Sequence, residues 1–121
     1  MRPERRDATY VRDMLEYACR ARDLVAGREL SEFLANYEFR YAVERVVEII
    51  GEAASRVSPE FQQAHAEIPW RSVIGQRIIL AHRYGAVLPE RLWETATRAI
   101  PSLIAALEPL VPTPPDEGAS A

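Results

Sequence analysis

The segment from Phe39 to Val57 constrains the fold most, because its apolar residues recur in steps of three and four. The full stripe is Phe39, Val43, Val46, Ile50, Ala53 and Val57. This spacing is that of one face of an α-helix. With Ser31 as an N-cap, the pattern predicts one continuous helix from about Ser31 to Val57. Such a helix would be about 40 Å long and would cover more than one chain's core, which favours a dimer.

Helical spacing also predicts the other elements of the chain. A first helix is predicted from Asp7 to Ala26, with Gly27 as its stop, and Ser58 is a predicted N-cap followed by proline at the first helical position. The remaining helices are predicted over residues 60–66, 69–84 and 88–110. Pro101 lies inside the last helix and is expected to kink or split it.

These elements predict an all-α fold, a four- to five-helix bundle forming one domain over residues 1–110. The Pro-rich, polar residues 111–121 are expected to form a disordered tail. No apolar run has the length of a membrane span, and the charged N-terminus is not typical of a signal peptide. The single cysteine, Cys19, fits the reducing cytoplasm, where we expect the protein to reside.

The arginines are distributed unevenly along this slightly acidic chain. All fifteen basic residues are arginine, and the formal net charge is −3. Residues 28–67 hold four arginines and eight acids, whereas residues 68–98 hold five arginines and two glutamates. The balance argues against a general nucleic-acid coat and favours a local anion site in the second segment.

The basic segment contains Arg77, His82 and Tyr84, which form an Arg-x4-His-x-Tyr pattern. Arginine offers a fixed cation for phosphate, and histidine is the side chain whose ordinary pKa suits proton transfer near neutral pH. Together they can support phosphodiester cleavage without a metal or a cofactor. On a regular helix Arg77 and Tyr84 share a face, while His82 is rotated by roughly 140° from Arg77. Two such helices related by a two-fold axis, or a reoriented helix end at Gly85, would bring the three residues together.

Other candidate residues favour structural interpretations. His65 lies in a polar stretch and is expected at the surface, and Cys19 is expected to be a buried thiol. Glu44, Glu48 and Glu52 have four-residue spacing, but no Glu-x-x-His accompanies them, so we expect a solvated or arginine-paired face and no metal site.

The chain resembles the HepT-like branch of the HEPN superfamily from about Asp7 to Leu110. The resemblance is carried by residues 40–54, RYAVERVVEIIGEAA, then by Ile68-Pro69-Trp70, and then by the Arg-x4-His-x-Tyr pattern. It implies a homodimeric HEPN-type helical fold in which paired motifs form a shared cleft. It also implies a toxin of a toxin–antitoxin system, a metal-independent endoribonuclease that pairs with a minimal nucleotidyltransferase antitoxin.

By position, the resemblance implies that Arg77 and His82 are the catalytic pair. Tyr84 is implied as the tyrosine that the antitoxin modifies with AMP (AMPylation) or as a substrate-binding residue. One position departs from the family pattern: Ile78 stands where many members have a polar residue directly after the motif arginine. A non-catalytic HEPN module that binds RNA or a nucleotide therefore stays open as an alternative, as does a structural partner of a nucleotidyltransferase.

Overall fold

The computed structural model describes residues 3–81 and 89–112, with side chains described for 6–75 and 89–112. Its helices are α1 (Pro3–Val25), α2 (Leu30–Ala35), α3 (Tyr37–Ser55), α4 (Pro59–Ala64), α5 (Trp70–Ala81), α6 (Pro89–Glu94) and α7 (Ile100–Leu107). A π-helical turn, Thr95–Ala99, joins α6 to α7, and a 3-10 turn, Glu108–Leu110, follows α7. Within the described ranges there is no strand, which confirms the all-α prediction.

The main core lies where α1, α3 and α7 pack together, with α5 and α4 closing one side. Its fully buried side chains include Met14 of α1, Ile50 of α3 and Leu107 of α7. The predicted stripe of α3 is buried as expected, with Val46 only partly so. These contacts explain why α3 is helical: its apolar face is covered on two sides.

A second, smaller cluster surrounds Phe33 of α2, which is fully buried. The Phe33 ring meets Phe39 edge-on at a centroid distance of 5.1 Å and Trp93 of α6 at 5.2 Å. This cluster fixes α6 against α2 and α3, and it thereby sets the position of the polypeptide that follows the 82–88 segment.

The continuous helix predicted from Ser31 to Val57 is wrong, because the helix ends at Ala35 and restarts at Tyr37. Asn36 is extended (φ −124°, ψ 101°), and its side chain accepts a hydrogen bond from Phe39 N at 3.0 Å. Arg40 Nη1 donates to the carbonyl oxygens of Phe33 (3.0 Å) and Leu34 (2.6 Å).

The end of α2 and the start of α3 are therefore both capped by side chains. The spacing of apolar residues in the sequence does not reveal these caps. The longest helix on this stripe is α3, with 19 residues, or about 28 Å. The predicted length of about 40 Å was one reason to expect a dimer, and the shorter α3 removes that reason.

Local signals predicted the other helix ends more closely. Gly27 follows α1 with φ +70°, the left-handed conformation that favours glycine at a helix end. Ser58 caps α4 by accepting a hydrogen bond from Phe61 N at 3.2 Å, and Pro59 is its first residue, as predicted. The first helix begins at Pro3, four residues before the predicted start.

Pro101 is accommodated without ending the last helix. The turn before it is π-helical, and Ile100 N donates to Thr95 O, five residues back. Proline has no N–H and its ring crowds the carbonyl four residues earlier, so a widened turn relieves both problems. The prediction of a local distortion is confirmed, and it takes the form of a π-helical turn.

The described chain continues to Pro112, two residues past the predicted end of the domain. Val111 is half-buried and packs against the main core, while residues 113–121 lie outside the described part of the chain. Among the described residues no helix is long and apolar enough to cross a bilayer.

Candidate functional site

The start of α5, the helix that contains Arg77, is fixed by a buried tryptophan. Trp70 is 6% exposed, and its indole Nε1 donates to the carbonyl of His65 at 2.9 Å. Its ring stands edge-on to Phe61 of α4, with centroids 6.2 Å apart. Because the ring and its N–H are both engaged, the direction of α5 is set at its first residue.

The described structure contains only part of the predicted site. The backbone of Arg77 lies in α5, seven residues after Trp70. Seven residues make about two turns, so the two Cα positions lie on the same side of the helix axis. Ile78 follows in the same helix, which is described up to Ala81. His82, Tyr84 and Gly85 lie outside the described residues, and their convergence with Arg77 stays a prediction.

A polar groove lies between the first turns of α5 and the last helical segment of the chain. Its cavity volume is about 330 Å³. Its lining residues are Ser72, Arg91, Glu94, Thr95, Arg98 and Ala99. Sequence reasoning identified the basic segment but did not single out Arg91 and Arg98, although their seven-residue spacing within that segment was a usable signal.

A narrow apolar slot adjoins this polar groove. The slot has a cavity volume of about 60 Å³ and lies between α3, α5 and α7. Ser72, Thr95 and Ala99 line both cavities. The polar groove therefore borders the apolar slot on one side and is lined by charged side chains on the other.

Some arginines of the described structure pair with carboxylates, and others do not. Several are held by nearby carboxylates; these pairs are Arg20–Glu16, Arg22–Asp23, Arg28–Glu32, Arg45–Glu48 and Arg56–Glu52. The hydrogen bond and charge of Asp23 raise the pKa of Arg22. Arg71, Arg91 and Arg98 are exposed and form no ion pair with any described residue. All three belong to the basic segment, and none of their charges is neutralised by an ion pair with a described residue.

The remaining sequence candidates have structural surroundings. His65 is half-buried, its ring lies 4.4 Å from the Phe61 ring, and its Nδ1 is 3.4 Å from a Glu67 carboxylate oxygen. His65 is thus less exposed than expected. Cys19 is half-buried, short of the burial expected for it.

Two of the three carboxylates singled out on α3 match the arginine-paired interpretation. Glu48 pairs with Arg45 at 2.6 Å, and Glu52 pairs with Arg56 at 3.6 Å. In the part of the chain that the structure describes, no group of three or more metal-ligating side chains comes together.

Comparison with known proteins gives matches along almost the whole domain. The family described as ribonuclease HepT-like matches residues 14–110. A Thermococcus cleftensis protein, named as a candidate ribonuclease HepT, is 38% identical over 103 residues, covering 82% of this chain and 94% of its own. A Methanocaldococcus jannaschii protein, named as a candidate RNase, is 31% identical over 109 residues, covering 90% of each chain. No solved structure gives a significant match.

The all-α architecture and the family match define a small helical domain of the HEPN class. Within that class, the chain belongs to the HepT-like ribonuclease family.

Proposed function

We propose that this protein is a metal-independent endoribonuclease and the toxin of a cytoplasmic toxin–antitoxin system. The observation that carries the proposal is the family match over residues 14–110, which includes the motif. The match ends at Leu110 and supports a domain over residues 1–110 followed by a short tail.

The chemistry proposed for the site uses the 2′-hydroxyl of RNA as the nucleophile. His82 moves a proton from that hydroxyl or to the leaving oxygen, and the 2′-oxygen forms a bond to phosphorus. The bond from phosphorus to the 5′-oxygen breaks, which leaves a 2′,3′-cyclic phosphate and a free 5′-hydroxyl. Arg77 binds the phosphate and stabilises the charge that develops on its oxygens.

The site is proposed to be shared between two chains of a homodimer. Support comes from the helix spacing, since His82 lies five positions after Arg77 and one regular helix would not bring them together. Light scattering should give twice the mass of the chain at micromolar concentration. A monomer that retains full RNA cleavage would contradict the shared site.

A direct test compares the purified protein with Arg77→Ala and His82→Ala on an end-labelled RNA. Each variant should lose cleavage by a factor of about 10² to 10³ or more. Arg12→Ala is a matched control, because Arg12 is an exposed arginine of α1 without an ion pair among the described residues. Full activity of His82→Ala would contradict its catalytic role, and circular dichroism melts establish that each variant is folded.

Ile78 favours a second candidate function, a module that binds RNA or a nucleotide without cutting it. An aliphatic side chain at this position donates no hydrogen bond to a phosphate or a water molecule. Under this alternative, the wild-type protein binds RNA and leaves it intact in the cleavage assay above. Ile78→Asn would then be the variant to examine for gained cleavage.

The proposed partner is a minimal nucleotidyltransferase antitoxin, which would silence the toxin by modifying Tyr84. This part of the proposal rests on the family resemblance. Co-purification of the protein with such an enzyme, encoded beside it, would support the pairing.

A further inference from the structure

We infer that the groove between α5 and the α6–α7 segment binds the sugar–phosphate backbone of RNA, with Arg91 and Arg98 as its phosphate contacts. The inference rests on the proposed function for its substrate class, and it assigns residues that the motif does not include. The groove is lined by Ser72 of α5, and α5 also contains Arg77. RNA in the groove would therefore contact α5 at a position five residues before that of the proposed catalytic arginine.

The two arginines are placed to act together. They are seven residues apart on one continuous helical segment and line the same cavity. Two turns of helix separate their Cα atoms by about 10 Å. That separation suits contacts to different phosphates of one strand better than a shared contact to a single phosphate.

Their charges are available for a ligand. Arg91 and Arg98 are exposed and pair with no carboxylate of the described chain, whereas arginines such as Arg45 and Arg56 are held by glutamates. The hydroxyl of Ser72 lines the same groove, whereas the hydroxyl of Thr95 donates to the carbonyl of Arg91 at 3.0 Å. Arginine guanidinium groups and serine hydroxyl groups commonly contact the phosphates and sugars of nucleic acids.

Helical spacing places the two arginines on one side of their segment, since seven residues make about two turns. The π-helical turn Thr95–Ala99 begins after Arg91 and contains Arg98. Pro101 accounts for this turn, since a regular helix would crowd the proline ring. A π-helical turn next to a binding surface is a recurrent arrangement in proteins.

One acidic side chain opposes the proposed ligand. Glu94 lines the groove between the two arginines, is exposed and forms no ion pair with a described residue. A carboxylate there repels phosphate and weakens binding. Removing a positive charge from the groove should therefore weaken RNA binding, and removing the negative charge should strengthen it. A non-specific loss of stability would not produce these opposite effects.

The experiment measures binding of a fluorescent, non-cleavable 2′-O-methyl RNA oligonucleotide to the full chain at several salt concentrations. Arg91→Gln/Arg98→Gln should weaken binding roughly tenfold and reduce the slope of log K against log salt by about 1.4, at about 0.7 per lost phosphate contact. Glu94→Gln should tighten binding. The matched controls are Arg6→Gln/Arg12→Gln, an equal charge change on exposed residues of α1, and Glu90→Gln on α6, outside the groove.

The outcomes separate this inference from the proposed function. Wild-type affinity and salt slope in the Arg91/Arg98 variant would overturn the inference, even if the protein cleaves RNA. Equal losses in the α1 control would also overturn it, because the effect would then be one of net charge. Loss confined to the groove variant supports it, including in a protein that never cleaves RNA. No RNA binding by the wild type would overturn both.

Discussion

The carboxylate of Asp7 accepts two hydrogen bonds from one residue, Ser58, which lies 51 positions later in the chain. Ser58 N lies 2.9 Å from Oδ1, and Ser58 Oγ lies 2.6 Å from Oδ2. Asp7 is buried, and Ser58 Oγ in turn accepts from Phe61 N to cap α4. This chain of hydrogen bonds ties the start of α1 to the helix that precedes Trp70 and α5.

Asp7→Ala should lower the free energy of unfolding by about 1–3 kcal/mol, because the Ser58 N–H and hydroxyl lose their acceptors in a part-buried place. Urea denaturation followed by circular dichroism measures the change. Asp13→Ala is the control on the same helix, with no hydrogen bond or ion pair to a described residue. Equal effects of the two substitutions would contradict a specific role for the Asp7–Ser58 pair.

Asn36→Ala should lower the free energy of unfolding by about 1 kcal/mol, because the cap of α3 loses the acceptor for Phe39 N. Asn36→Asp retains an acceptor at the same place and should keep stability close to that of the wild type. Chemical denaturation of the three proteins side by side gives the comparison. If Asp and Ala at this position were equally destabilising, the capping explanation would fail.

RNA cleavage should persist in excess EDTA, because Arg77 and His82 are proposed to supply the charge and the proton transfer. The reaction should stop when a single deoxyribose replaces the ribose on the 5′ side of the cut bond, since that change removes the nucleophile. Mass spectrometry of the products should show a 2′,3′-cyclic phosphate or its hydrolysed form. A strict requirement for added magnesium would refute this mechanism.

Incubation with the proposed partner nucleotidyltransferase and ATP should increase the protein's mass by one or more AMP units at Tyr84. An AMP phosphodiester near the motif would compete with RNA phosphate for Arg77, and the nucleoside would obstruct the cleft. Tyr84→Phe should abolish the mass increase. A label on another tyrosine, such as the exposed Tyr37 or Tyr41, would show that the assignment to Tyr84 is wrong.

The sequence alone determined the helices whose signals are local. The apolar steps from Phe39 to Val57 fixed the buried face of α3, and Gly27, Ser58 and Pro59 marked helix ends. These signals depend on backbone preferences and on spacing within a few residues, so one sequence is enough to interpret them. The motif spacing and family pattern were equally visible in the sequence.

Tertiary structure decided the rest, because those features depend on residues that meet only after folding. The break at Asn36 is stabilised by Arg40, which donates hydrogen bonds to the carbonyls of Phe33 and Leu34. The spacing of apolar residues does not predict that contact. The Asp7–Ser58 pair spans 51 positions. The groove of Arg91 and Arg98 forms where Ser72 of α5 lies beside the π-helical turn. The sequence shows the excess of arginines, but only the folded chain places two of them in one groove.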